Sequence, residues 1–247
     1  MSSSTAPVPA RPTAIKEPVM PSHVRTRITA TAGVLGLVLV TAACSTSTND
    51  HAAPSASSSP TIAAAQAATL QAGLRTDMRK LWEDHITWTR LYILAAEAGA
   101  PDADATAGRL LQNQTDIGNA LKPLYGDAAG AQLTALLKQH ILTAGALIAA
   151  AKAGDTAKVT TTKASWYVNG DQIAGFLSKA NPTSWPAAQM RQMMRDHLDN
   201  TLAEAVDHLQ GKAAADIADY DKVHVQILTM ADMLTTGIVT QFPQQFS

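Results

Sequence analysis

Cysteine, aromatic residues and charge are all scarce in this chain of 247 residues. A single cysteine, Cys44, excludes a disulfide framework or a thiolate metal cluster built within one chain. Charged residues make up only 16 % and the formal net charge is −1, which excludes a highly charged disordered protein. It also leaves no basic surface for phosphates to grip, so no nucleic-acid partner is expected. Catalytic signatures are missing too. There is no glycine-rich phosphate loop, no Gly-x-Ser-x-Gly elbow and no His-Glu-x-x-His pair. What the chain does have is 46 % apolar residues, enough for a core.

Residues 28–43, ITATAGVLGLVLVTAA, form an uncharged run behind Arg25 and Arg27. At 16 residues the run is short for a spanning helix and suits a secretory signal. It ends in Thr41-Ala42-Ala43-Cys44, which resembles a bacterial lipobox, so lipidation of Cys44 and a new N-terminus there are expected. Met20 opens a signal of ordinary length and is a candidate true start, residues 1–19 having no signal character. Residues 44–67 are rich in Ser, Ala, Thr and Pro without apolar periodicity, which predicts a tether. From Cys44 onward 15 of the 19 basic and 19 of the 20 acidic residues remain, a net of −4, so the membrane partner is engaged by the lipid and not by a polybasic patch. The expected address is the outer, extracytoplasmic face of a bacterial cell membrane.

From residue 68 to 247 apolar residues recur at spacings of three and four, and no alternating β-branched run occurs. The pattern predicts an all-α domain of about six helices, near 68–98, 103–122, 128–152, 156–179, 186–210 and 213–241. Stops follow from Gly99 and Pro101, Pro123 and Gly126, Gly154, Asn181 and Pro182, Gly211 and Pro243; starts from Asp102, Asp127, Asp155 and Ser184. Asp102-Ala103-Asp104 reads as an N-cap favoured by the helix dipole. The chain also resembles itself. A shift of 55 lays 81–99 on 136–154 with eight of 19 positions identical, His85 on His140 and Gly99 on Gly154 among them. A further shift of 57 puts His140 on His197 and Gly154 on Gly211, and a shift of 56 puts Asn113 on Asn169 and Ile117 on Ile173. Three helical hairpins of period about 56 are the expectation, packed because none buries its apolar face alone.

Four histidines lie inside apolar stripes. His85 shares a face with Leu81, Trp88 and Tyr92, and His140 with Leu133, Leu136, Ala144 and Leu147. His197 lies with Met190, Met193 and Thr201, and His224 with Ile217, Leu228 and Ala231. Imidazoles converging in a bundle can ligate a divalent transition metal, with carboxylates orienting the rings from behind. The candidate ligands are His85, His140, His197 and His224, and the candidate ring-orienting carboxylates are Asp84, Asp196 and Asp221. The di-iron bundle template fails, since only Glu83, Glu97 and Glu204 follow Cys44 and no Glu-x-x-His occurs. The stripe His197, Thr201, Glu204 and His208 either lines a cleft between helices or is the solvated margin of its helix, and the flanking Asp199, Asn200 and Asp207 favour the margin. Met190, Met193, Met194, Met230 and Met233 read as core filler, and Trp82, Trp88, Trp166 and Trp185 as core or helix-end packing.

The segments LWEDHITWTR (81–90), LLQNQTDIGNALKPLYG (110–126) and YDKVHVQILTMADMLTTGIVTQFP (220–243) resemble a family of small bacterial helical-bundle proteins, some of which carry a glycosyltransferase label. The resemblance implies that His85, Asn113, Asp116, His140, His197 and His224 lie in the family's recurrent segments, and it supplies no catalytic residues. Nucleotide-sugar glycosyltransferases are built on α/β sheets, for which this chain offers no strand. The expected function is therefore a non-catalytic envelope protein whose core His/Asp cluster binds a metal ion or small ligand. The alternatives are a structural or partner-binding bundle with hydrogen-bonded core histidines and, last, an enzyme acting on envelope polymers.

Overall fold

The computed structural model describes residues 59–247. The apolar run 28–43, Cys44 and the first part of the expected tether lie outside the described residues. The described chain is all-helical, with six long helices: α1 Ser59–Ala98, α2 Ala103–Tyr125, α3 Asp127–Lys152, α4 Thr156–Ala180, α5 Ala187–Leu209 and α6 Ala213–Gln241. A short 3₁₀ turn, Pro243–Gln245, follows.

Most helix breaks fall where glycine and proline place them; Pro123 is the exception, since α2 runs through it to Tyr125 and ends at Gly126. Gly99, Gly154 and Gly211 have φ of 65°, 69° and 70°, a left-handed conformation that closes α1, α3 and α5 and that a side chain would strain. Among the expected start signals, Asp155 caps α4 by accepting a hydrogen bond from the Lys158 backbone N–H at 2.9 Å. The others differ. Asp102 makes no side-chain cap bond, Asp127 is already the first residue of α3, and Ser184 lies in a turn ahead of α5. In that turn Ser184 donates its backbone N–H to Asn181 Oδ1. α1 also begins nine residues before the expected start at 68, so residues 59–67, read as tether, are helical. Pro60 falls in the first turn, where its missing N–H costs nothing, and the alanine-rich segment that follows has the highest helix propensity available.

The helices pack in ring order, each against the next and α6 back against α1, with α1 also touching α3 and α5. Short connections make neighbours antiparallel, so α1, α3 and α5 run one way and α2, α4 and α6 the other. α2 and α3 approach closely where Gly118 meets Gly130. A Cβ on Gly118 would stand 2.6 Å from the Gly130 carbonyl oxygen and would overlap the Thr134 hydroxyl, so only glycine permits this crossing. The main core joins Trp82, Ile86, Leu137, Ile173, Met194, Ile227 and Met230 with their neighbours, and a smaller cluster joins Leu147 of α3, Trp166 of α4 and Leu198 of α5. α3 is the one described helix long and apolar enough to cross a membrane, with mean hydropathy 1.4 over its best window; here it packs between α2 and α4.

Candidate functional site

Three of the four candidate histidines come together. His85 on α1, His140 on α3 and His197 on α5 are buried at 2 %, 3 % and 5 % exposure. His197 stands between the other two, with ring centroids 5.8 Å from His85 and 6.2 Å from His140. Trp82 packs edge-on to His85, and Trp166 stacks on His140 at 5.2 Å. Burial holds all three imidazoles neutral. It lowers the pKa of His140 to about 3 and of His197 to about 4, and with the repulsion of the other two rings it lowers that of His85 well below the usual value.

His224 does not join them. It is partly exposed on α6, where its Nε2 is 3.0 Å from Glu83 Oε1, and Ile217 of its supposed apolar face is exposed. The three carboxylates expected behind the rings are engaged elsewhere or exposed. Asp84 takes Lys80 at 2.7 Å, Asp196 takes the Gln192 amide at 2.8 Å, and Asp221 lies in the solvent. Among the described residues no group of three or more His, Cys, Asp or Glu is placed to hold a metal ion.

The rings are instead backed by side-chain amides from the next helix, 29 residues on. His140 Nδ1 lies 3.1 Å from Asn169 Oδ1. The Gln114 amide lies beside His85 and the Gln226 amide beside His197, outside the hydrogen-bond range that Asn169 meets. Two of these amides are anchored alike, Asn169 and Gln226 donating to the backbone carbonyls of Leu136 and Met193 at 3.1 Å each; Gln114 donates to the Leu110 carbonyl instead, and its neighbour Asn113 takes the corresponding Leu81 carbonyl at 3.0 Å. Each of those carbonyls lies four residues before a core histidine.

Above the histidines a cavity of about 100 Å³ runs toward the C-terminal ends of α1, α3 and α5. His85, His140 and His197 form its closed end; Ile93, Leu147, Trp166 and Leu202 line its walls; Val159, Val206 and Leu209 stand at its outer end. Val206 and Leu209 are partly exposed there. The lining is almost wholly apolar, yet several lining residues carry buried polar atoms with no hydrogen-bond partner: Glu97 Oε2, Trp166 Nε1, Thr201 Oγ1, and the Nδ1 atoms of His85 and His197. A second void of about 10 Å³, enough for one water, lies on the far side of the histidines against Met194 and Met230.

Beside the cavity wall is a charged cluster that the sequence reading missed. Arg90, next in sequence to the lining residue Thr89, donates to Glu204 Oε1 at 2.7 Å and to Asp216 Oδ1 at 2.6 Å, tying α1 to α5 and α6. His208 Nδ1 reaches Asp216 Oδ2 at 3.0 Å, and the Arg90 guanidinium lies 4.8 Å from the Tyr220 ring centre. Burial pushes the Glu204 carboxyl up to about 7 against the pull of Arg90, whereas the hydrogen bonds of Arg90 hold Asp216 below the usual carboxylate range. The stripe His197, Thr201, Glu204 and His208 is thus not a solvated margin: Glu204 is 1 % exposed, and Arg90 explains how an ionisable carboxyl sits there. No family model, curated protein sequence or solved structure matches this chain.

Proposed function

We propose that the protein is a non-catalytic ligand-binding bundle, tethered through lipid on Cys44 to the outer face of a bacterial cell membrane, that holds a small, largely apolar molecule in the cavity floored by His85, His140 and His197. The observation that carries the reading is the cavity itself. Protein interiors are packed to near-crystalline density, so an apolar void of this size is costly to leave empty. An apolar cavity of roughly 150 Å³ stays dry and takes up benzene or xenon, and the one here is of that order. A purely structural role for the histidines accounts for the His140–Asn169 bond but not for the cavity above it.

The three-hairpin repeat belongs to the same proposal. The amide-to-carbonyl bond made in turn by Asn113, Asn169 and Gln226 supports it, as do the left-handed glycines that close α1, α3 and α5. On this reading one amide-to-carbonyl bond, repeated three times four residues before each histidine, brings three equivalent histidines to the centre of the bundle, with Gln114 beside the first of them in place of Asn113.

The test is thermal unfolding of the metal-stripped protein with benzene or with zinc, copper or iron. Benzene at tenfold over its dissociation constant stabilises a folded-state site by about 1.4 kcal/mol, a rise of roughly 3–6 °C for a domain of this size. Ala144→Leu, which fills the cavity, removes the shift. A saturable metal effect without a benzene effect would favour the metal reading instead, and no effect from either leaves a structural bundle.

A further inference from the structure

We propose that the cavity selects an uncharged ligand with an apolar body and one hydroxyl group, a phenol or a small alcohol, whose proton is accepted by Nε2 of the histidine floor. The proposal rests on the cavity being a ligand site and names the chemistry it takes.

The argument starts from where the supporting amides spend their donors. Asn169 gives its Nδ2–H to the Leu136 carbonyl, so the atom it turns to His140 Nδ1 is Oδ1, an acceptor. An acceptor there requires the ring proton on Nδ1, which in a neutral imidazole leaves the lone pair on Nε2. Gln226 spends its Nε2–H on the Met193 carbonyl, and Gln114 spends its own on the Leu110 carbonyl and on Asn113 Oδ1. Both therefore have Oε1 left for His197 and His85. Those two Oε1 atoms and the two ring Nδ1 atoms are closed off from solvent and have no other partner. The Asn169 bond thus sets the tautomer of His140, leaving its lone pair on Nε2, and within the proposal the same tautomer extends to His85 and His197, whose only neighbouring amide atoms are these acceptors.

The floor of the cavity is in consequence an acceptor surface without charge. A ketone or an ether has no proton to give Nε2 and leaves that acceptor unpaired. A carboxylate or phosphate finds no Lys or Arg among the lining residues, and a buried charge without a partner is expensive. A hydroxyl fits on both counts. Its proton would go to Nε2, and the Thr201 hydroxyl, on a lining residue and without a hydrogen-bond partner, could turn to donate to its oxygen.

Calorimetric titration of the full chain at pH 7.5 with toluene, phenol and benzoate tests this. Toluene and phenol have the same number of heavy atoms, and toluene is the more apolar, so a preference for phenol requires the hydrogen bond. Phenol is expected to bind about fivefold to tenfold more tightly than toluene, the worth of one hydrogen bond, and benzoate is expected not to bind. His197→Phe should cut the phenol preference while leaving toluene bound. Because that variant can fail to fold, the wild-type series decides by itself. Toluene binding as tightly as phenol, or benzoate binding best, overturns the hydroxyl inference and leaves the ligand cavity standing. Binding of none of the three overturns both.

Discussion

Lowering the pH from 7.5 to 4.5 sets two buried groups of opposite sign against each other, and the outcome can be worked from their environments. His140 and His197 have folded pKa values of about 3 and about 4, below the value of 6.5 for an unfolded histidine. The unfolded chain therefore binds protons first as the pH falls, and the folded state loses stability from about pH 6.5 downward. At pH 4.5 each histidine has cost about 2.5 kcal/mol, together about 5 kcal/mol. His85, lowered by the same burial, acts in the same direction. Glu204 does the reverse. Its folded pKa of about 7 lies above the unfolded 4.5, so its destabilisation is present at pH 7.5 and relieved by acid, a gain of about 3 kcal/mol over the same range. Asp232, held at about 2 by Arg79 and Arg75, does not titrate in this window. The two histidines and Glu204 thus give the wild type a net loss of about 2 kcal/mol between pH 7.5 and 4.5, and Glu204→Gln, with the compensating group removed, a loss of about 5 kcal/mol. Urea unfolding followed by tryptophan fluorescence at a series of pH values measures both. A Glu204→Gln protein whose stability is level or rises toward pH 4.5 would refute the assignment of neutral, buried imidazoles.

Three further outcomes are expected. Arg90→Met leaves Glu204 and Asp216 buried without their cation and should cost about 3–5 kcal/mol in urea unfolding at pH 7.5, with part of the loss recovered in Arg90→Met, Glu204→Gln. Gly118→Ala forces α2 off α3 and should cost about 1–3 kcal/mol, whereas Gly108→Ala, with open space around its Cβ, should be neutral or slightly stabilising in the same assay. Intact-mass measurement on membrane-extracted protein should find a chain beginning at Cys44 with added acyl mass, lost together with membrane association in Cys44→Ala; an unmodified chain beginning elsewhere would contradict the anchor.

The helices were legible because their ends are marked by residues with few alternatives. Gly99, Gly154 and Gly211 take left-handed φ, and apolar spacing of three and four does the rest. The N-terminal extension of α1 was missed because Ser and Pro in the tether mask an alanine-rich stretch. At the site, the burial of His85, His140 and His197 was readable from the stripes they share. Their partners were sought in the wrong place. A residue one position away on a helix points about 100° around the axis, so Asp84 and Asp196 could not face the ring contacts of His85 and His197. The supporting amides lie 29 residues on, across a hairpin, and the match of Asn113 to Asn169 pointed only to the second of them, since Asn113 holds the Leu81 carbonyl and its neighbour Gln114 lies beside His85. His224 shared the spacing of the others, but spacing fixes the side of a helix and not what packs against it. The Arg90–Glu204–Asp216 cluster joins residues more than a hundred positions apart, and nothing in local periodicity points to it.

The most direct test of the ligand cavity is a crystal structure with bromobenzene, whose bromine locates the ligand by its anomalous signal. The account predicts one bromine peak inside the bundle, between Ala144, Leu147, Trp166 and Leu202, above the three histidines. Bromine found only on the surface at saturating ligand, with that cavity holding nothing or closed by its walls, would contradict it.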